Sequence, residues 1–255
     1  MKKCSQNYDL DDPRRTLEHH EIIMNKPFLK KIYIDWYNEF IRKSKEIKGE
    51  GIFLEIGSGG GFLKEVFPEV VTSDILELPT VDKICSAEKL PFEDNSIRSI
   101  MMLNVFHHIP RPYLFLREAQ RTLIPVGRII MIEPANTLLS RFIYKRFHHE
   151  PFIPDGGMEI ESGNPLSNSN QALPYIYFER EKDKFDTDYP LLKINSIRYH
   201  TPFRYAISGG LSKKAMLPDF LYGFVKFLEL LVSPFAKQLG LFCSVEIEKI
   251  NGLEK

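Results

Sequence analysis

Ile52-Phe53-Leu54-Glu55-Ile56-Gly57-Ser58-Gly59-Gly60-Gly61-Phe62 contains a strand, a glycine-rich turn and the start of a helix. Its first five residues form a largely apolar run, which is typical of a buried strand in a parallel sheet. The glycines allow positive φ and a close approach of the backbone to a ligand, since they carry no Cβ. Helix-forming residues follow until Pro68. Such a turn presents backbone N–H groups where nucleotide-like ligands bind.

The glycine spacing is not that of a dinucleotide fingerprint, Gly-x-Gly-x-x-Gly, which counted from Gly57 would need a glycine at Phe62. Glu55 is instead followed by glycines at every second position up to Gly61. A second apolar stretch ends at Asp74, whose carboxylate can accept hydrogen bonds from both ribose hydroxyls. Because two carboxylates flank the turn and it lacks a phosphate-loop lysine, the pattern favours a cationic nucleoside over a phosphate-rich ligand.

Six short segments occur in an informative order along the chain. They are Leu54–Gly61, Ser73–Ile75, Ser86–Phe92 with Asn95-Ser96, Leu103–Ile109, Leu116–Ala119 with Arg121, and Leu123–Arg128. Together they resemble the core of a class I S-adenosylmethionine (AdoMet) dependent methyltransferase of the small-molecule, type 11-like kind, over about residues 52–134. Each segment alone is a weak signal, whereas six in order are specific.

The resemblance implies that the chain is an AdoMet-dependent methyltransferase, and it assigns cofactor-binding roles. The backbone of Gly57–Gly61 would surround the methionine part, Glu55 would orient its ammonium group, and Asp74 would bind the ribose. The implied cofactor-binding residues are Glu55, Gly57, Ser58, Gly59, Gly61, Asp74, Ile75 on the adenine face, Ala87 and Glu88 at the adenine edge, and Asn104 near the ammonium.

Two positions depart from the family pattern. Ile97-Arg98 stands where the family usually has Phe-Asp, and Val126 replaces the first glycine of a Pro-Gly-Gly turn. Neither change removes a group expected to touch AdoMet. We therefore expect altered local geometry at these positions and the same cofactor.

Strands that alternate with helices predict an α/β fold, namely a Rossmann-like, doubly wound, seven-stranded and mostly parallel sheet with an antiparallel last strand. The predicted strands span residues 52–56, 70–73, 81–85, 97–103, 128–132, 193–199 and 244–250. Ligands bind beyond the carboxyl ends of such strands. The predicted parts of this single domain are an N-terminal helical cap (1–48), an AdoMet-binding core (49–136), and a region with the remaining strands, a lid loop and a C-terminal helical insert (137–255).

His107 and His108 follow predicted strand four and are the candidate catalytic residues. Methyl transfer mainly requires alignment of nucleophile, methyl group and sulfur. A hydroxyl or ammonium nucleophile additionally needs a general base, and histidine has a suitable reference pKa. A loop histidine with a purely structural hydrogen bond is an equally reasonable interpretation, and His148 or His149 is the next candidate base. No metal site is expected.

Composition limits the function further. The 255 residues include 34 basic and 34 acidic side chains, so no positive surplus favours nucleic acid as a partner. The three cysteines show no metal spacing and suggest reduced thiols in a cytoplasmic protein. The N-terminus lacks the apolar run of a signal peptide, and no uncharged apolar stretch approaches transmembrane length.

The second half of the chain bears on the methyl acceptor. Residues 151–174 have the composition of a loop, and Tyr175–Phe178 could be an added strand. The apolar segment Asp219–Leu241 is more easily explained as helices packed on the sheet than as a membrane-facing surface, because buried helices are commoner. Residues 201–249, with the turn Ser208–Ser212, resemble part of some bacterial methyltransferases associated with cell-surface polysaccharide genes. This resemblance adds a sugar or lipid-linked glycan to the candidate acceptors, and a quinone-like or other small molecule and a protein stay open alternatives.

We therefore expect methyl transfer from AdoMet to an oxygen or nitrogen, less readily a carbon, of a small-molecule acceptor. Two alternatives are an AdoMet-binding protein without transferase activity and an NAD-dependent oxidoreductase. AdoMet titration, with detection of S-adenosylhomocysteine, separates the first from a transferase, and tight NAD binding would favour the second.

Overall fold

The computed structural model describes residues 12–148, 150–160 and 168–251. These residues form a seven-stranded sheet with the order β3-β2-β1-β4-β5-β7-β6. The strands are Ile52–Ile56 (β1), Val70–Asp74 (β2), Lys83–Ile84 (β3), Ile97–Leu103 (β4), Leu123–Pro134 (β5), Leu192–His200 (β6) and Phe242–Lys249 (β7).

Strands β1 to β5 are parallel to one another, whereas β7 is antiparallel to both β5 and β6. The chain order reverses beside β1, which is the place where open α/β sheets bind ligands. The predicted Rossmann-like fold with an antiparallel last strand is confirmed. The division at residues 48 and 136 stays a prediction.

Helices cover the sheet. They are Pro13–Met24 (α1), Pro27–Glu46 (α2), Leu63–Val66 (α3), Pro112–Thr122 (α4), Leu138–Phe147 (α5), Leu173–Tyr175 (α6), Lys182–Asp188 (α7), Arg204–Ser208 (α8), Tyr222–Leu231 (α9) and Ala236–Leu239 (α10). Alternate residues of the central strand β4 face opposite layers, since Met102 packs with the α4 side and Met101 with the α2 side. This arrangement fixes the carboxyl edge of the sheet between two packed cores.

The expected added strand at Tyr175–Phe178 is wrong. Ile176–Arg180 forms a π-helical turn directly after α6, and Ile176, Tyr177 and Phe178 are all buried. Three consecutive buried residues show no strand or helix period, so the sequence was ambiguous there. In the described parts of the expected lid loop, the Asn170 side chain exchanges two hydrogen bonds with the Ile153 backbone. These parts also pack against the core, since Asn170 N donates to the His107 oxygen at 3.0 Å and Phe152 is buried in the core.

The expectation that Asp219–Leu241 packs on the sheet is also wrong for most of its apolar side chains. Tyr222 and Val225 are buried, but several large residues face solvent. The exposed members are Phe220, Phe224, Phe227, Leu228, Leu230, Leu231 and Phe235. No helix in the described part of the chain is long and apolar enough to cross a membrane.

Both departures from the family pattern have local structural consequences. The Arg98 guanidinium donates to the backbone oxygen of Ile47 and lies over the Phe53 ring at 5.0 Å, so it ties the end of α2 to the sheet. Val126 adopts φ of 61°, the left-handed region that a glycine would occupy without strain.

Candidate functional site

The glycine turn after β1 uses its glycines for conformation and for space. Gly57 and Gly59 have φ of 68° and 47°, which are left-handed values that other residues rarely adopt. A Cβ on Gly57 would lie 2.5 Å from Val105, and one on Gly61 would lie 2.5 Å from the Tyr37 hydroxyl. The turn is therefore held tightly between β4 and α2.

Helix α1 lies directly on the same turn. A Cβ on Gly60 would lie 2.7 Å from the His20 backbone nitrogen and 2.8 Å from the Thr16 backbone oxygen. Arg15, Thr16 and His19 consequently line the cavity above the turn. The N-terminal helices thus shape the candidate site.

Asp74 connects the end of β2 to the glycine turn. Its Oδ2 accepts a hydrogen bond from Gly59 N at 2.9 Å, and its Oδ1 accepts one from Leu76 N at 2.9 Å. Burial raises the pKa of this carboxyl despite those bonds. A carboxylate has about four lone-pair positions, so two remain for hydroxyl donors from the cavity that Asp74 lines.

Glu55 is the second carboxylate at this edge and is 3% exposed. Burial raises its pKa to about 7, the nearby Ser58 opposes the shift, and the nearby Asp74 adds to it. No cation pairs with Glu55 in the described part of the chain. A ligand ammonium group would relieve the burial penalty of this carboxylate.

One cavity of about 830 Å³ joins these groups at the carboxyl edge of the sheet. Nine of the ten predicted cofactor-binding residues line it: Glu55, Gly57, Ser58, Gly59, Gly61, Asp74, Ile75, Ala87 and Asn104. Glu88 is not among the lining residues, because its carboxylate binds Arg111, with 2.6 Å to Nη2. On α2, Tyr33 and Tyr37 line the cavity, while Trp36 packs on Tyr205 and Phe242.

Asn104 ends β4 in a left-handed conformation, with φ of 57°. Its backbone N–H donates to the Ile132 oxygen at 2.9 Å. Its side-chain Oδ1 is buried and accepts no hydrogen bond from the described residues. An unsatisfied buried acceptor in a cavity wall is a place where a ligand donor fits.

His107 is held between two carboxylates beneath the cavity. Its Nδ1 lies 2.6 Å from Glu133 Oε2, and its Nε2 lies 3.3 Å from Glu150 Oε2. Burial alone would lower the pKa of His107, but these carboxylates outweigh it and raise the pKa to about 9. Burial alone would raise the pKa of Glu150, but the neighbouring histidines outweigh it and hold this pKa well below its usual range. The His107 side chain is therefore an imidazolium at neutral pH.

His108 also lines the cavity, and its Nε2 lies 3.8 Å from Glu150 Oε1. Potential ligand atoms of His107, His108 and Glu150 lie within 4.8 Å of one another, which is close enough for a metal ion. The charge on His107 is already balanced by Glu133 and Glu150. The expected absence of a metal stays a prediction.

Comparison with known proteins identifies the region that forms this site. A family model described as a methyltransferase domain matches residues 54–131. That match contains the end of β1, the glycine turn, Asp74, Asn104 and both candidate histidines. The chain contains a methyltransferase domain. AdoMet is its cofactor, so the resemblance, the enzyme class and the cofactor expected from the sequence are confirmed.

The methyltransferase domain is also similar to solved structures, at low identity. A SAM-dependent methyltransferase from Archaeoglobus fulgidus is 16% identical with a TM-score of 0.49, covering 85% of this chain and 94% of that one. Geranyl diphosphate C-methyltransferase from Streptomyces coelicolor is 12% identical with a TM-score of 0.48, covering 91% of this chain and 84% of that one. No curated protein matches the sequence.

The residue assignments within the methyltransferase domain stay predictions, although the fold brings most of them to one cavity. His148 lines that cavity too, whereas His149 lies outside the described residues, as does Cys4. Cys85 and Cys243 are free thiols.

Sequence reasoning missed two carboxylates of the site. Glu133 is fully buried at the end of β5 and accepts hydrogen bonds from Val105 N and Phe106 N, both at 2.8 Å. Its position at a strand end, beside the end of β4, was a usable signal. No sequence signal marked Glu150, because only the tertiary path of the chain after α5 brings it to His107.

Proposed function

We propose that this methyltransferase moves the methyl group of AdoMet to an oxygen or nitrogen, less readily a carbon, of a small-molecule acceptor. The observation that carries the proposal is the single cavity shared by Asp74, the glycine turn and His108. At about 830 Å³ it is near the upper end of ordinary ligand sites, roughly 300–1,000 Å³. That size leaves room for an acceptor beside a nucleoside.

The chain's own groups fit AdoMet. The free lone pairs of Asp74 suit two ribose hydroxyls, and the unpaired carboxylate of Glu55 and the unsatisfied Oδ1 of Asn104 suit an ammonium group. Adding a side chain at Gly57 or Gly61 would collide with Val105 or Tyr37, so the turn keeps its backbone accessible. Ile75 and Ala87 supply apolar contact for the adenine.

When bound, AdoMet supplies an activated methyl group with its own leaving group. The residues around the cavity then have to orient the acceptor and exclude water, and orientation alone can contribute about 7–11 kcal/mol. His107 carries a proton at neutral pH and cannot accept another, so we assign the general-base role to His108. Such a base contributes about 10²–10⁴-fold.

The nature of the acceptor is a finer part of the proposal. Phe142 and Phe147 of α5 and the segment Gly209–Lys214 line the cavity, and because both aromatic side chains are also exposed, we assign its mouth to this part of the lining. A wide and partly apolar entrance suits an amphiphile such as a lipid-linked glycan, although a free sugar also fits. We place the enzyme in the cytoplasm, consistent with its free thiols, and without a nucleic-acid partner, consistent with its balanced charge.

Calorimetric titration tests the proposal. AdoMet and S-adenosylhomocysteine should bind, and NAD should not compete with them. A crystal structure with S-adenosylhomocysteine should show its ribose hydroxyls on Asp74. Binding of NAD in preference to AdoMet, or a ribose placed away from Asp74, would overturn it. Formation of S-adenosylhomocysteine on addition of cell extract separates a transferase from an AdoMet-binding protein without activity.

A further inference from the structure

Helix α9 directs its apolar stripe towards solvent. Phe224, Phe227, Leu228 and Leu231 recur at helical spacing and are 58%, 55%, 38% and 58% exposed. We call these four residues the α9 face. The opposite side of the helix, with Tyr222, Val225 and Glu229, is buried. This is the reverse of the usual orientation of an amphipathic helix on a protein core.

Buried polar groups hold α9 in this orientation. Glu229 accepts hydrogen bonds from Phe203 N at 2.9 Å and Arg204 N at 2.7 Å, and it also pairs with the Arg204 guanidinium. Arg204 Nη1 and the Tyr222 hydroxyl both donate to Asp35 on α2, at 2.7 and 2.6 Å. Turning the α9 face inward would break this network, so these hydrogen bonds stabilise the orientation in which the α9 face is exposed.

The exposed charges around the α9 face are mostly positive. In residues 211–241, which contain α9, the exposed charged side chains are Lys213, Lys214, Lys226, Lys237 and Asp219, and Glu229 is buried. Lys226 pairs with Asp35 at 2.7 Å and Asp219 with Lys31 at 3.3 Å, so the positive surplus comes from the other three lysines. An apolar helix face with cationic neighbours is the pattern of helices that lie in the interface of an anionic bilayer. A protein partner would not require this combination.

Apolar exposure continues to the cavity mouth. Met216, on the segment leading to α9, is 67% exposed and lines the cavity. Phe142 and Phe147 of α5 line it too, at 50% and 61% exposure, and Lys213 lies over the Phe147 ring at 5.6 Å. The short helix α10, which follows α9, packs against α5. Met216 and α10 thus link α9 to the part of α5 that lines the cavity.

We propose that the α9 face docks onto an anionic phospholipid membrane and brings the cavity mouth to the lipid surface. Insertion is interfacial, because the described helices include none that could span a bilayer. As far as the acceptor is concerned, the inference rests on the proposed function: the acceptor is then a membrane-anchored amphiphile that enters past Phe142 and Phe147.

Vesicle co-sedimentation tests the docking. The full chain is mixed with vesicles of equimolar phosphatidylglycerol and phosphatidylcholine, or of phosphatidylcholine alone. We expect binding to the anionic vesicles that weakens as salt is added. The triple variant Phe224→Ser/Phe227→Ser/Leu231→Ser should bind at least about tenfold more weakly. A matched variant with three exposed apolar residues replaced elsewhere, Val66→Ser/Ile84→Ser/Ile153→Ser, should bind like the wild type.

Further measurements test the orientation. Phe142→Ser/Phe147→Ser should also weaken vesicle binding, since these residues lie at the mouth; unchanged binding would overturn the placement of the mouth at the surface. Equal binding to both vesicle types would overturn the anionic surface. Absence of vesicle binding, with a wild-type dimer in sedimentation velocity that the triple variant loses, would assign the α9 face to a second copy of the chain.

AdoMet calorimetry keeps this test separate from that of the proposed function. The triple serine variant should bind AdoMet like the wild type, because its substitutions lie outside the cavity lining. Vesicle binding could thus fail while AdoMet binding persists, or the reverse, and the two failures would be distinguishable.

Discussion

The carboxyl edge of the sheet and helix α9 place their side chains in opposite ways. At the sheet edge, charged groups such as Glu55, Asp74 and His107 are buried. On α9, large apolar residues such as Phe224 and Phe227 face water. Both arrangements oppose the ordinary partition of polar and apolar residues. Each region is therefore organised for something other than stability of the folded chain, the first for a polar ligand and the second for an apolar surface.

The two regions differ in what substitutions should cost. Burial at the sheet edge makes each charged group depend on its partners, so a single change should have a large effect. Because the apolar side chains of α9 are exposed, a substitution there removes little apolar surface from the folded core. Variants of both regions therefore test whether substitutions at the sheet edge cost more than substitutions on α9.

Replacing His107 should have the largest effect on stability. His107→Phe leaves the fully buried Glu133 and the nearby Glu150 without their cation, and should lower the free energy of unfolding by about 3–5 kcal/mol. The pKa of His107 is raised to about 9 in the folded state, from 6.5. Its stabilisation is therefore complete below pH 6.5 and is lost as pH rises through 9.

Chemical denaturation at several pH values checks this. The difference between wild type and His107→Phe should be larger at pH 6 than at pH 10. His107→Asn, which can still donate one hydrogen bond to Glu133, should lose less. Equal stability of wild type and His107→Phe would show that the carboxylates need no cation.

Asp74→Ala should have the largest effect on ligand binding. It removes both hydrogen bonds expected with the ribose and releases Gly59 N, so AdoMet affinity should fall by about 3 kcal/mol, or roughly 100-fold. The matched control is Asp82→Ala. Asp82 accepts from Thr72 N of the same strand at 2.9 Å but does not line the cavity. Calorimetry showing equal losses for both variants would remove the ribose assignment.

Glu55 should make both stability and AdoMet binding depend on pH. Burial raises its pKa from 4.5 to about 7, so stability is fully present below pH 4.5 and is lost as pH rises through 7, by about 3 kcal/mol. Glu55→Gln should remove this slope. AdoMet binding near pH 6 should release a proton, measurable by calorimetry in buffers of different ionisation enthalpy, and Glu55→Gln should abolish the release.

Within helix α9, two neighbouring apolar positions should respond differently. Val225→Ser, at a residue 3% exposed, should lower the free energy of unfolding by about 2 kcal/mol. Phe227→Ser, at a residue 55% exposed, should change it by less than about 0.5 kcal/mol although it removes a larger side chain. Denaturation of the two variants side by side decides this. A large loss at Phe227 would mean that the α9 face is covered by the protein itself.

Relief of strain at Val126 should give a stabilising change of about 1 kcal/mol. Its φ of 61° costs a residue with a Cβ about 1–2 kcal/mol, partly offset by the greater unfolded-chain entropy of glycine. Val126→Gly should therefore raise the melting temperature. Val126→Ala keeps a Cβ and serves as the control, so an equal rise in both variants would contradict strain as the cause.

Local sequence signals predicted most of the sheet and many of the residues that line the cavity. Glycine spacing and strand ends bring Glu55, Gly57 and Asp74 together because parallel strands align their carboxyl ends. The same logic missed Glu133, although it lies near such an end, and had no means of finding Glu150, which lies outside regular secondary structure after α5.

Periodicity predicted helices within Asp219–Leu241 from the amino-acid order alone, because repeated apolar positions define a stripe wherever a helix lies, and the structure has α9 there. It could not say which side of the helix faces the core. That was decided by long-range contacts, in which Arg204 and Asp35, distant in the chain, bind Glu229 and Tyr222 and turn the stripe outward. A glycine turn and an acidic residue at a strand end depend on neighbouring residues in the sequence, so they can be recognised locally. The orientation of a helix depends instead on partners that only folding brings near.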